Sequence, residues 1–157
     1  MQNLRTHLEK NIYNLKGEWV KKNSSYDKYI CDILDMTEDT CRYWDAIWNS
    51  YFIEFKKGKS IWLDLVRFSE EILKINSNAE KHTITLFFIP NKEKNEILKI
   101  IGVKTSKIIK KLKLNEENAI FFIMSNENLP RSFNAQASLT IKDISEIADF
   151  IILKENS

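Results

Sequence analysis

A chain of 157 residues, 43% hydrophobic and 29% charged, has the length and balance of one globular domain that buries a core without staples. Lys and Arg number 24 against 22 Asp and Glu, so the net charge of +2 does not by itself imply nucleic acid; what matters is where the lysines cluster. No apolar run approaches the ~20 residues of a bilayer span, Met1 to Arg5 lacks the apolar core of a secretory signal, and Cys31 and Cys41 fit neither a zinc motif nor a disulfide framework.

Three glycines and two prolines argue against long linkers, so residues 1–157 read as a single domain. Two lone thiols suit a reducing cytoplasm and are expected to be plain apolar residues.

In chain order, Leu4, Leu8, Ile12, Leu15 and Trp19 recur at helical spacing and predict an amphipathic helix weakened at Gly17. A second helical stretch passes through Tyr26, Tyr29, Ile30, Ile33 and Leu34, and Thr37, Asp39 and Thr40 mark a polar break. Two β-rich runs follow, Arg42 to Trp48 and Ser50 to Lys57, with Asn49-Ser50 suited to a turn that folds one against the other. Ser60 is placed to cap a helix carrying Ile61, Leu65, Phe68 and Ile72 on one face, with Trp62 and Val66 widening the stripe and Trp62 and Phe68 as core aromatics.

Thr83 to Ile89 is a continuous β-rich run stopped by Pro90-Asn91, the pattern of a strand buried on both faces in the sheet interior. Ile97, Leu98, Ile100 and Ile101 predict a helical piece broken at Gly102, and Thr105 is placed to cap another through Ile108, Ile109 and Leu112. Such a pair resembles a helix-turn-helix, although a bent crossover helix makes the same pattern. Ala119 to Met124 predicts a second buried strand, and Ile141 to Leu153 closes the chain as helix, strand or a mixture. The expected fold is α/β, a mixed sheet flanked by helices.

The most informative stretch is Tyr43-Trp44-Asp45 followed by Tyr51-Phe52-Ile53-Glu54-Phe55-Lys56. Side chains of an extended strand alternate between faces, so Glu54 and Lys56 become neighbours on one surface while Ile53 and Phe55 point the other way. Asp45 lies nine positions before Glu54, and the Asn49-Ser50 turn brings it alongside.

An Asp, a variable gap and Glu-x-Lys resemble the active site of the PD-(D/E)XK nuclease superfamily, which includes many restriction endonucleases. The resemblance assigns Asp45 to the first acid, Glu54 to the second and Lys56 to the lysine; Trp44 stands where a proline often precedes the first acid. The order helix, strand, strand, helix, strand, helix, strand matches the superfamily core over residues 1–125 and implies a restriction-endonuclease-like fold. It also implies a Mg²⁺ site made by Asp45, Glu54 and the backbone carbonyl of Phe55, with Lys56 orienting a water and offsetting charge on phosphate. The implied activity is magnesium-dependent endonucleolytic hydrolysis of double-stranded DNA, of restriction type, by a homodimer, since a small single-site subunit needs a partner to cut both strands.

Other residues stand around this centre. Lys56, Lys57 and Lys59 form a basic rim beside it, and Lys104, Lys107, Lys110, Lys111 and Lys113 form a second cluster whose default reading is a solvated helix face. Glu9 and Glu18 are candidates for a further acid from the first helix, while His7 and His82 lack metal-ligand spacing. In the polar connection Asn126 to Ser138, Arg131, Asn134 and Gln136 have side chains that read base edges in the major groove, which makes this loop the candidate for DNA recognition. Two further readings remain open: a non-enzymatic α/β binding protein, such as an immunity or regulatory partner, with Asp45, Glu54 and Lys56 as surface charges, and a repair or junction-resolving nuclease on the same fold.

Overall fold

A computed structural model describes residues 1–16, 27–40, 44–58, 61–64, 83–115, 117–118 and 136–155. Helices α1 (Gln2–Asn11), α2 (Asp27–Ile33), α3 (Thr105–Lys111) and α4 (Ile141–Ile147) accompany strands β1 (Thr37–Glu38), β2 (Ala46–Trp48), β3 (Tyr51–Lys57), β4 (Ile61–Asp64), β5 (Thr83–Pro90), β6 (Ile97–Lys104), β7 (Gln136–Leu139) and β8 (Phe150–Leu153). Six strands make one sheet in the order β1-β2-β3-β5-β6-β8, and β4 pairs with β7 in a two-stranded sheet. The large sheet is mixed: β3 and β5 run parallel, and its other neighbours are antiparallel.

Alternation along the central strands distributes the core between two sheet faces. Ile53, Phe55, Ile84, Leu86 and Phe88 pack with Leu4 and Leu8 of α1 and Ile30 and Cys31 of α2. Phe87, Ile89, Ile101 and Val103 pack with Ile108 and Ile109 of α3 and Ile144 of α4 on the other. Helices therefore cover both faces, and β5, every residue of which is buried, sits inside the sheet as its unbroken apolar run predicts.

The opening helix ends at Asn11 and passes into a 3₁₀ turn, Ile12–Asn14, with Leu15 still buried; Trp19 lies outside the described residues. Two helical expectations are overturned. Ile61–Asp64 is a strand paired with Gln136–Leu139 rather than the start of a Ser60-capped helix, the remainder of that predicted helix lying outside the described residues. Ile97–Lys104 is a strand along its whole length, so no helix-turn-helix forms there.

The reason for the second misreading is a register shift between Ile89 and Pro90 of the partner strand, which breaks strict alternation in β6. Ile97 and Ile100 consequently face one core and Ile101 and Val103 the other, a spacing that imitates a helix. Gly102 is no helix breaker. A Cβ there would stand 2.2 Å from Cζ of Phe150, its cross-strand partner, so the position makes room for an aromatic ring. From Thr105 the predicted helix does form, and the closing segment is the mixture, helix α4 then strand β8. The predicted strand Ala119 to Met124 lies outside the described residues.

Candidate active site

The site is built on the β2–β3 hairpin. Trp48 pairs with Tyr51, leaving Asn49-Ser50 as a two-residue loop, and Asn49 has a φ of 51°, a left-handed conformation that Asn tolerates well. The turn expected from the sequence is therefore present. β2 begins at Ala46, with Asp45 just before it; of the predicted run from Arg42, residues 42 and 43 are outside the described set.

Asp45 extends the hairpin by two hydrogen bonds. Its N–H donates to the Ile53 carbonyl at 2.9 Å, and its Oδ2 accepts the Phe55 N–H at 2.7 Å. These bonds fall on either side of Glu54, so Asp45 lies beside Glu54 as the turn predicts. A residue in a strand directs its N–H and C=O toward the same neighbour. The Phe55 carbonyl thus faces the strand edge occupied by the Asp45 carboxylate.

Glu54 pairs in register with Thr85 on β5 and is only 2% exposed. Its Oε1 lies 3.5 Å from Lys56 Nζ, while the Lys56 side chain is 26% exposed. Because Ile53 and Phe55 belong to the core under α1 and α2, alternation places Glu54 and Lys56 on the face covered by α3. The two charged residues are neighbours on one surface, as expected, and a buried carboxylate is balanced by an ammonium that reaches solvent.

The acid that sequence reasoning missed is Asp27, in the first turn of α2. Its side chain hydrogen-bonds with that of Asp45, and its pKa is raised above the ordinary Asp value. Burial is the largest cause; the charges of Glu38 and Glu54 push the same way, against the Asp45 hydrogen bond and the Lys56 ammonium. Two carboxyls in hydrogen-bond contact need a proton or a cation between them. Asp27 follows Tyr26 at the start of the predicted helical stretch, and an acid at a helix start is ordinarily explained by the helix dipole alone. Only the tertiary fold gives it a partner.

A cleft of about 750 Å³ opens beside Asp27 on the α2–β1 side, lined by Asp27, Lys28, Tyr29, Asp32 and Glu38. Cys31 lies close by, but burial first, then the charges of Glu38, Asp27, Asp45 and Asp32, push its thiol up to about 12, so it is a buried apolar residue and not a nucleophile. Among the described residues, no three His, Cys, Asp or Glu side chains converge into a ready-made metal cage. The donors that do gather are all hard oxygens, which is the chemistry Mg²⁺ accepts, with water and substrate filling its other positions.

The remaining candidates separate. Glu9 is exposed, paired with Arg5 at 2.8 Å, and lines a groove with Ile151 and Leu153 of β8, at the other end of the sheet from the hairpin. A ring nitrogen of His7 meets the Leu34 carbonyl, and its ring stacks on Trp48 at 4.9 Å, a structural role. Gln136 begins β7, its backbone opposite Asp64, rather than sitting in a loop. Glu18, Cys41, His82, Arg131 and Asn134 lie outside the described residues. Comparison with known proteins finds no matching family model, no matching curated protein and no matching solved structure.

Proposed function

We propose that the chain is a magnesium-dependent DNA endonuclease of restriction type, with a PD-(D/E)XK-like centre on a restriction-endonuclease-like sheet. The observation that supports this most is the hairpin edge, where Asp45 bonds to the residues on both sides of Glu54, its Oδ2 accepting the Phe55 N–H. Asp45, Glu54 and the Phe55 carbonyl would hold the metal, with Asp27 beside them; Mg²⁺ bound there supplies polarisation of phosphate and a water of lowered pKa.

The chain's own groups do the positioning. Lys56, held next to Glu54, puts a positive charge at the solvent boundary where a phosphate approaches, and its ammonium offsets the charge that grows on phosphate in the transition state. Double-stranded DNA is the proposed substrate, Arg131, Asn134 and Gln136 the proposed base-reading residues, and a homodimer the proposed working form, so that two centres meet two strands.

The Asp45–Phe55 bond also favours a second reading. An Asp that accepts a backbone N–H can serve only to latch a hairpin, as in a non-enzymatic α/β binding protein. Asp45→Asn separates the two, because Asn keeps an acceptor for the Phe55 N–H while losing the charge. Purified protein is incubated with plasmid and mixed genomic DNA in Mg²⁺ beside a metal-free control. The nuclease reading expects metal-dependent cleavage by wild type and none by folded Asp45→Asn. Absence of cleavage across both substrates supports the latch; nicking of them, with faster cleavage of a branched duplex added as a third substrate, points instead to repair or junction resolution.

A further inference from the structure

The second lysine cluster is not used by the hairpin site, and the fold gives it a definite shape. Lys107, Lys110 and Lys111 fall three and four residues apart on the outer face of α3, while Ile108 and Ile109 are buried beneath. Lys113 follows at the helix end with a φ of 59°. Its N–H donates to the Lys110 carbonyl at 3.0 Å and that of Leu114 to the Ile109 carbonyl at 3.1 Å, a Schellman arrangement that fixes Lys113 beside the helical lysines. These four lysines and Ile147 of α4 line an open groove of about 510 Å³.

The acids near this groove do not neutralise it. Asp149 binds Lys107 at 2.8 Å and also accepts the Lys104 N–H, so it is fully occupied. Asp143 lies within electrostatic reach of Lys111 but is engaged by Thr140 in a capping box. Among the described residues Lys110, Lys111 and Lys113 make no ion pair, and all three are exposed.

Position ties the groove to the hairpin. Thr105, the first residue of α3, hydrogen-bonds through its hydroxyl to Thr85 at 3.0 Å, and Thr85 is the register partner of Glu54. The lysine-bearing helix therefore begins beside the strand position of the buried Glu54 and runs outward on the same sheet face.

We propose that the α3–α4 groove is a docking track for the phosphate backbone of duplex DNA, contacted by Lys110, Lys111 and Lys113. This rests on the nuclease reading for its choice of polyanion. Charge complementarity carries it: three unpaired ammonium groups grouped on one helix end match a row of phosphates, and their methylene stems with Ile147 supply the apolar floor without needing an apolar ligand.

The test is salt-dependent binding of a labelled 20-base-pair duplex in metal-free buffer, comparing wild type with the triple variant Lys110→Ala, Lys111→Ala, Lys113→Asn. Alanine favours the helix, and asparagine tolerates the left-handed backbone at 113, so the fold is kept. Each lost phosphate contact flattens the plot of log affinity against log salt by about 0.9, so the three together should remove about 2.7 units of slope. Across a fourfold rise in salt from 50 to 200 mM, the affinity gap between wild type and variant should then shrink by roughly 40-fold. An unchanged slope in the folded variant overturns the proposal, as does a wild type that binds no duplex or that binds polyglutamate more tightly than duplex at equal salt. Because no metal is present, failure here is distinct from failure of the active site: Glu54→Gln, which should abolish cleavage, should leave this slope unchanged.

Discussion

At the β6–β8 end of the sheet, the acids are each matched by a partner of suitable chemistry: Asp149 by Lys107 at 2.8 Å, Glu96 by Lys154 at 2.6 Å, and Asp143 by the Thr140 cap, while Lys110, Lys111 and Lys113 stay in solvent. The β2–β3 end is arranged differently. Asp27 and Asp45 are in contact, Glu38 and Glu54 are within electrostatic reach of Asp27, and among the described residues Lys56 is a cation that offsets them. A hairpin needs no such gathering of carboxyls to fold, and like charges brought together cost stability. The difference teaches that acids at the scaffold end are matched by adjacent partners, whereas those at the hairpin end are brought together by the tertiary fold, which is where the proposed Mg²⁺ would sit.

The largest expected effect lies at the hairpin end. Glu54→Gln and Lys56→Ala should each lower the cleavage rate by about 10²–10³-fold or more, since each removes a group proposed to act on the developing charge, while circular dichroism shows the fold retained. Wild-type rates in both folded variants would remove these residues from the centre. Next, at the scaffold end, Gly102→Ala should cost about 1–3 kcal/mol in urea denaturation, because a methyl cannot coexist with the Phe150 ring where it stands. Thr140→Ala should cost about 1 kcal/mol through loss of the α4 cap.

The smallest effects sharpen the contrast through pH, in metal-free buffer. Asp27 has a raised pKa in the folded state, so its favourable contribution is complete below the unfolded Asp pKa and is lost as pH rises through the folded value. Asp27→Asn should therefore melt above wild type at pH 7, with the gap closing in acid. Asp143 has a lowered pKa, set first by the Thr140 backbone hydrogen bond, so its contribution is present above the unfolded value and is lost as pH falls through the folded one. Asp143→Asn should melt below wild type at pH 7, and that gap too should close in acid. Two gaps of the same sign at pH 7 would mean that the two ends are not electrostatically different.

Much of the hairpin was legible because its signals are local. Alternation set Glu54 and Lys56 on one face, and Asn49-Ser50 set the turn that brings Asp45 alongside. The buried run of β5 was equally plain, as was the helix from Thr105. What escaped depends on partners far away in sequence. The phase shift in β6 comes from its pairing with Pro90, the need for Gly102 comes from Phe150, and the Asp27–Asp45 contact joins a helix start to a hairpin. No spacing within one element encodes any of these.

The central claim is that the carboxyl-rich hairpin end is a divalent-cation site, and titration calorimetry of Mg²⁺ into the metal-free protein tests it most directly. The account predicts saturable binding to wild type, loss of that binding in folded Glu54→Gln and Asp45→Asn, and weakening in Asp27→Asn. No heat of binding to wild type, or equal binding to wild type and Glu54→Gln, would contradict it.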